Sequence, residues 1–437
     1  MERTIYSSLL SWKNRADRKP LILLGARQVG KTYILKQFGQ KEFTNLVYLN
    51  CHQSDFAASL FSDFDIQRII FQIEIHTGSK IIPGETLLVF DEIQEVAGGI
   101  ASLKYFCEDL RELHVAVAGS LLGISLRENE SYPVGKVQTL HLYPMSFFEF
   151  VKASQKPTLC NLLCSSDWDM MSPFHAELTE LLRQYYFTGG MPEAVAQWHS
   201  THNPQSTRDI QLEILDSYYR DFSKHRKSMV FRIHQVWDCI PAQLAKENKK
   251  FIFGLIKKGA RATEFEQAIQ WLVDAGLIYK IERCTQPVKP LKFYSDHSAF
   301  KIYLNDCGLL AAMTEADPKE MLLGNKAFTG FKGALTENYL LQQIMPLTDI
   351  QTFYFSKDNS TQEIDFLIQT PQRIIPCEAK AEENVKAKSL SQFVKEDHIN
   401  LQLKGLRCSM LPYIDQGWME NIPLYGIETY FKTLPDL

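Results

Sequence analysis

Eight consecutive residues, Gly25-Ala26-Arg27-Gln28-Val29-Gly30-Lys31-Thr32, place two glycines, a lysine and a hydroxyl at the spacing G-x-x-x-x-G-K-T. The glycines let the backbone fold closely around phosphate oxygens, and the loop amides and the N-terminus of the next helix turn positive dipole toward them. The Lys31 ammonium would reach the β- and γ-phosphates, and the Thr32 hydroxyl would ligate Mg²⁺. Arg27 reads as a loop residue. Asp91 stands 60 residues beyond Lys31 at the end of an apolar run, and Glu92 follows it. Asp91 would hold Mg²⁺ directly or through water, while Glu92 would orient and deprotonate an attacking water. Together the motifs point to ATP and Mg²⁺ as ligands, and the acidic pair favours an ATPase over a kinase. A plain strand–helix turn and a solvated strand end are the competing readings.

Buried strands must bring these groups together. Residues 21–24 form a continuous apolar run that feeds the glycine loop, and 33–38 continue as a helix. Residues 86–90 make a second buried strand ending at Asp91. A third, 114–118, runs into Gly119-Ser120. Ser120 would contact the γ-phosphate or the water if the strands lie side by side, although a structural turn fits it equally well. A last strand over 137–142 and a helix over 146–153 complete an α/β domain.

A second group of charges lies near the C-terminus. The pattern predicts a helix over 331–344, strands over 351–356, 363–369 and 373–380, a helix over 389–396, and a late strand near 424–427. A hairpin turn centred between Pro371 and Gln372 sets Asp365 opposite Glu378, with Cβ atoms ~5 Å apart. Lys380 shares that face. Facing carboxylates repel unless a cation or proton intervenes. Glu337 on the preceding helix could complete an acidic Mg²⁺ site, with Lys380 positioning water or stabilising charge on a phosphate. A solvated, salt-bridged sheet face is the alternative.

Between these regions, residues 172–224 are mainly helical, broken at Thr188-Gly189-Gly190-Met191-Pro192. Helices over 237–247, 250–258 and 264–275, with short strands over 279–281 and 291–294, describe a winged helix-turn-helix. Lys249, Lys250, Lys257, Lys258 and Arg261 lend it basic character, but its third helix carries Glu264, Glu266 and Asp274. A protein-contact wing is therefore favoured over a DNA reader. The expected domains are 1–153 (P-loop ATPase), 154–230 (helical lid or linker), 231–318 (winged-helix-like) and 319–437 (C-terminal α/β).

With 45% hydrophobic and 22% charged residues, the chain can bury several cores. A net charge of -4 argues against a protein that coats nucleic acid wholesale, but not against a local basic patch. No apolar run approaches the ~18 residues of a membrane span, and residues 1–20 lack a signal-peptide core. The expectation is a cytoplasmic protein that engages no membrane. Nine singly placed cysteines imply no disulfide framework, and Cys160 with Cys164 lacks a second pair for zinc.

As a set, these residues resemble the bacterial and archaeal AAA-type ATPases whose C-terminal domain, long of unknown function, has the PD-(D/E)xK nuclease-like fold. The resemblance rests on residues 25–32, 87–92, 118–122, 142–150, 189–193, 300–310 and 333–337, on Glu363-Ile364-Asp365-Phe366 and on Pro376-Cys377-Glu378-Ala379-Lys380. It implies an α/β P-loop core of the additional-strand, catalytic-glutamate class, with Ser120 as a sensor. It further implies a metal site at Glu337, Asp365 and Glu378, with Lys380 catalytic. Where the family usually has Gly-Arg, this chain has Gly135-Lys136, and lysine is a poorer bidentate partner for a γ-phosphate. Two functions follow as expectations. In one, nucleotide state controls metal-dependent cleavage of DNA or another nucleic acid. In the other, the chain is an ATP-dependent switch or scaffold that binds nucleic acid or protein without cutting. A homo-oligomer supplying a neighbour's arginine fits either.

Overall fold

Uninterrupted aliphatic runs make strands that need cover on both faces, which a parallel sheet between helices provides. The structure, a computed structural model, describes all residues except 53, 120–132, 224–226, 247–248, 324–328, 358–361, 382–386 and 435–437. The chain divides into two compact units, Met1–Tyr143 with Asp274–Leu277, and Pro144–Val273 with Ile278–Leu437.

In the first unit, β1 (Leu21–Leu24), β2 (Asn45–Asn50), β3 (Thr86–Asp91), β4 (His114–Ala118) and β5 (Gln138–His141) form one sheet in the order β2-β3-β4-β1-β5. Every pairing in it is parallel. Strand β4 lies between β1 and β3, pairing Ala116 with Leu21 on one side and with Val89 on the other. Alternate residues serve the two faces. Ile22, Leu88, Phe90, Val115 and Val117 pack with Ile69, Ile73, Leu103 and Phe106 of the helices Ile66–Thr77 and Gly99–Asp109. Leu21, Leu23, Leu87 and Val89 are buried on the other face, where the helix Lys31–Glu42 contributes Ile34, Leu35 and Phe38. All carboxyl ends therefore meet at one edge, where α/β sheets bind ligands.

The second unit begins with helices. Ser146 caps the helix Phe147–Ala153 in a capping box with Glu149. The helices His175–Thr188 and Pro192–Thr201 meet at the expected glycine break. An eight-stranded sheet follows, ordered β12-β13-β11-β10-β9-β8-β6-β7. Its strands are β6 (Ile278–Cys284), β7 (Ser295–Leu304), β8 (Gln351–Ser356), β9 (Glu363–Gln369), β10 (Ile374–Ala379), β11 (Gly405–Ser409), β12 (Ile414–Asp415) and β13 (Met419–Pro423).

Three elements differ from expectation. The middle helix of the winged motif, expected over 250–258, is only the 3₁₀ turn Phe253–Leu255 between the helices Lys227–Leu244 and Ala262–Asp274. The second wing strand is not at 291–294, which is a 3₁₀ turn following Pro290, but at Ser295–Leu304. Both wing strands extend the C-terminal sheet, because β6 pairs with β8 through Arg283↔Tyr354 and Cys284↔Phe355. Lastly, the late strand near 424–427 is a 3₁₀ turn running into the helix Ile427–Lys432. The strands there are β11 and β13, whose mixed composition hides their full burial: Arg407 sits inside because its Nε donates to Asn421 Oδ1 at 2.8 Å.

One buried carboxylate ties the helical part to this sheet. Asp306 Oδ1 accepts from Leu309 N at 2.9 Å, and its Oδ2 accepts from Gly190 N at 2.6 Å and Gln342 Nε2 at 3.0 Å. Gln342 also donates to Tyr185 Oη at 2.9 Å. Truncation leaves two amides and a carboxamide without their acceptor, each worth on the order of 1–3 kcal/mol when buried. Asp306→Ala should therefore lower unfolding stability by at least about 3 kcal/mol in urea titrations, and Asp306→Asn, which keeps one acceptor oxygen, by less.

Candidate functional site

The loop after β1 bends because three residues take left-handed backbone angles: Gly25 at φ 150°, Gln28 at 66° and Gly30 at 95°. Gly25 cannot be replaced, since a Cβ there would lie 2.2 Å from the backbone oxygen of Leu142. The Lys31 ammonium folds over the loop and donates to Gly25 O and Ala26 O at 2.8 Å each. It is held within the concavity, only 7% exposed. Arg3 braces the loop from behind, with Nη1 on Val29 O at 3.0 Å and Nη2 on Tyr143 O at 2.5 Å.

Thr32 and Asp91, 59 residues apart in sequence, meet at the mouth of this loop: Thr32 Oγ1 donates to Asp91 Oδ2 at 2.7 Å. Tyr48, from β2, donates its hydroxyl to the same oxygen at 2.8 Å. Burial, then the bond to Asp91, pushes the Tyr48 phenol above its usual range, so it stays protonated and a donor. Lys36 Nζ lies 3.6 Å from its ring centroid and steadies it. Nearby, burial and the charges of Asp91 and Glu92 push the Cys51 thiol up to about 12, so it is no nucleophile at neutral pH. Hard oxygen donors converging on one carboxylate fit Mg²⁺.

Glu92 takes the left-handed conformation, φ 52° and ψ 40°, directly after β3. Such a backbone costs about 1–3 kcal/mol and persists because it is fixed elsewhere. Here Glu92 N donates to Ala118 O at 2.7 Å, locking the ends of β3 and β4 together. Its carboxylate accepts from Gln94 Nε2 at 2.5 Å. Ser120 lies outside the described residues. Lys136 pairs with Glu108 at 2.8 Å.

The second charge group sits in the C-terminal sheet. The β9–β10 ladder runs from Ile374↔Gln369 to Cys377↔Phe366, the expected register, which sets Asp365 and Glu378 opposite each other at its end. Glu337 and Asp365 enter one buried cluster whose other members were not anticipated. Glu337 Oε1 accepts from Lys249 Nζ at 2.5 Å and Oε2 from Tyr303 Oη at 3.0 Å. Lys301, 1% exposed, pairs with Glu363. Asp365 Oδ2 takes the backbone N–H of Ala379 at 2.9 Å. Glu378 is instead near Lys380, 3.6 Å away, on a side chain 34% exposed.

Charge balance explains the titration of this cluster. Burial works against the Lys301 ammonium, but Glu337, Glu363 and Asp365 outweigh it and hold it above its usual range. Burial likewise opposes the Glu337 carboxylate, and Lys249, Lys301 and Tyr303 pull it below its usual range. Two buried ammoniums thus answer Glu337 and Glu363, leaving Asp365 as the surplus charge. Burial and then the Glu337 charge push Asp365 up to about 7. Among the described residues, no group of three His, Cys, Asp or Glu is arranged to hold a metal. In this arrangement Lys249 and Tyr303 take up both Glu337 oxygens.

Sequence reading missed Arg3, Tyr48, Gln94, Lys249, Lys301 and Tyr303. Lys301 and Tyr303 alternate along β7 and so share a face, a signal available once 295–304 is recognised as a strand. Lys249 was read as surface basic character, yet its side chain is only 12% exposed. Lys257 of the same basic group pairs with Glu264 at 2.9 Å.

Five parallel strands with β4 between β1 and β3, the glycine loop after β1, and Asp91 meeting Thr32 define a P-loop NTPase domain. More narrowly, residues 17–151 match the AAA domain family. Residues 179–320 and 332–415 match two domains of unknown function, DUF8612 and DUF4143. Among solved structures, the Walker-type ATPase PABY2304 of Pyrococcus abyssi is similar at 15% identity and a TM-score of 0.44, over 72% of this chain and 95% of that one. The Aeropyrum pernix ORC1 protein in complex with DNA is similar at 12% identity and a TM-score of 0.28, over 71% and 90%. No curated protein matches. No helix among the described residues is long and apolar enough to cross a membrane.

Asp365 provides a test of the buried cluster. Between its usual value of 3.8 and about 7, the folded state keeps a proton that the unfolded chain has released. Stability should therefore fall as pH rises through that window, by on the order of a few kcal/mol. Asp365→Asn should flatten the melting temperature between pH 5 and 8; an unchanged slope would show that Asp365 is not the group responsible.

Proposed function

We propose that the first unit binds ATP with Mg²⁺ and hydrolyses it. The observation that carries this reading is the 2.7 Å bond between Thr32 and Asp91, which joins the loop after β1 to the end of β3 across the intervening strand. Residues 25–32 cradle the phosphates, and Lys31 neutralises the β- and γ-oxygens. Thr32 and Asp91 would hold Mg²⁺, which when bound neutralises charge on the phosphate oxygens. Glu92 takes a proton from the attacking water. Ser120, two residues beyond Ala118 in the sequence, is the proposed sensor.

For the C-terminal sheet we favour a nuclease-like fold that binds a nucleic acid or protein without cutting it, so that the chain acts as a nucleotide-driven switch. The supporting observation is the lysine-neutralised cluster: Lys249 and Lys301 supply the positive charge that a metal would otherwise bring to Glu337 and Asp365. The competing reading, Mg²⁺-dependent cleavage at Glu337, Asp365, Glu378 and Lys380, requires Glu337 to release Lys249 and Tyr303. Glu378 Oε2, buried with Lys380 Nζ 3.6 Å away and no hydrogen bond among the described residues, is its strongest support.

ATP turnover and strand breaks measured together separate these readings. Glu92→Gln should lower kcat by roughly 10²- to 10⁴-fold while ATP still binds, whereas Lys31→Ala should lose ATP binding. With Mg²⁺ or Mn²⁺ and single- or double-stranded DNA or RNA, the wild type should leave strands intact. Breaks that disappear in Asp365→Ala would reject the non-cutting reading and leave the ATPase reading untouched.

A further inference from the structure

The residue between Glu92 and the end of β4 has no role in the reading above, yet its contacts are unusual. Gln94 lies two residues past Glu92, just after the left-handed turn, within the 3₁₀ segment Ile93–Glu95. Its Nε2 donates to Glu92 Oε2 at 2.5 Å. Because a carboxylate only accepts, this contact fixes which end of the carboxamide faces Glu92. The other end, Oε1, is buried and has no hydrogen-bond partner among the described residues. A buried carbonyl oxygen without a donor costs about 1–3 kcal/mol, so it is not placed by packing convenience.

The backbone opposite has been kept clear for it. A Cβ at Gly119 would lie 2.1 Å from Gln94 Oε1 and 3.0 Å from its Nε2, so any side chain there would displace the carboxamide. Gly119 directly follows β4, whose last residue, Ala118, accepts the Glu92 amide at 2.7 Å. The ends of β3 and β4 thus hold Glu92 by its backbone, and Gln94 holds it by its carboxylate.

We propose that Gln94 is a positioning residue for hydrolysis: it orients the Glu92 carboxylate through Nε2 and supplies Oε1 as a second acceptor for the attacking water. This rests on the hydrolytic reading of the site. Water has two protons, and aiming its oxygen lone pair at phosphorus requires both to be held. Glu92 accepts one and Gln94 Oε1 the other. As the water oxygen bonds to the γ-phosphorus, the bond from that phosphorus to the bridging oxygen of ADP breaks, and ADP leaves with the electron pair. The proton facing Glu92 transfers to its carboxylate; the proton on Gln94 Oε1 stays on the new phosphate. Gln94 itself neither gains nor loses a proton.

The test uses the full chain with Gln94→Met, which keeps length but removes both hydrogen-bonding ends, and Gly119→Ala, which leaves Gln94 chemically intact but displaces it. Affinity for a fluorescent ATP analogue should stay within about twofold of wild type in both, since neither residue belongs to the phosphate loop. The kcat for ATP should fall by roughly 10- to 100-fold, the usual cost of a misplaced reacting group. KM for ATP should stay near the wild-type value, so that the loss falls on kcat alone. A merely structural role would weaken ATP binding and kcat together. Unchanged kcat in Gln94→Met, or a kcat loss matched by a loss of ATP affinity, in a wild type whose turnover Glu92→Gln abolishes, would overturn the assignment of Gln94 alone. A wild type with no Glu92-dependent turnover would overturn the hydrolytic reading, and the proposal with it.

Discussion

A single carboxylate oxygen, Asp91 Oδ2, receives hydrogen bonds from Thr32 and Tyr48, and much of the first unit can be read as what is needed to bring those donors there. Thr32 starts the helix after β1, Tyr48 lies on β2, and Asp91 ends β3. Three strands in one parallel sheet must therefore share register and direction. The order β2-β3-β4-β1-β5 provides this, and it forces β4 between the loop and the acid. The same insertion gives Glu92 a backbone partner, Ala118, without which its left-handed conformation would be unsupported. The apolar runs that look like ordinary core thus also fix the distance between the groups that do the chemistry.

Charge in the second unit follows a different logic. Burying a carboxylate costs several kcal/mol unless a partner is buried with it. The cluster of Glu337, Glu363 and Asp365 meets that cost with Lys249 and Lys301, drawn from separate elements, and with the Tyr303 hydroxyl. Because Lys301 and Tyr303 ride on β7, the strand found where a wing was expected carries part of the buried cluster from the edge of the C-terminal sheet. That explains why β6 and β7 extend this sheet and do not stand apart as a small DNA-binding appendage.

The sequence was most legible where local pattern and burial agree. Residues 21–24, 86–91 and 114–118 are short, largely aliphatic and almost wholly buried, so the strands could be read from them, whereas their order in the sheet could not. The β9–β10 register is the one that follows from centring the turn between Pro371 and Gln372, although those two residues do not by themselves fix it. Legibility failed where burial depends on distant partners. Arg407 inside β11 and Lys301 inside β7 look like surface residues until Asn421 and Glu363 are placed beside them. Arg3, Tyr48 and Gln94 escaped because none belongs to a spaced motif; each acts through a hydrogen bond that only the fold creates. The strand over 291–294 failed through local chemistry, since proline ahead of it starts a turn.

The meeting of Thr32 and Asp91 at one oxygen is tested most directly by the metal proposed to bind there. Mn²⁺ can stand in for Mg²⁺, and its electron spin resonance in the presence of ATP reports both binding and coupling to phosphorus. A bound, phosphorus-coupled signal in the wild type, weakened by an order of magnitude or more in affinity in Thr32→Val and in Asp91→Asn, is the predicted result. An equally tight, equally coupled signal in both variants would contradict it and place the metal elsewhere.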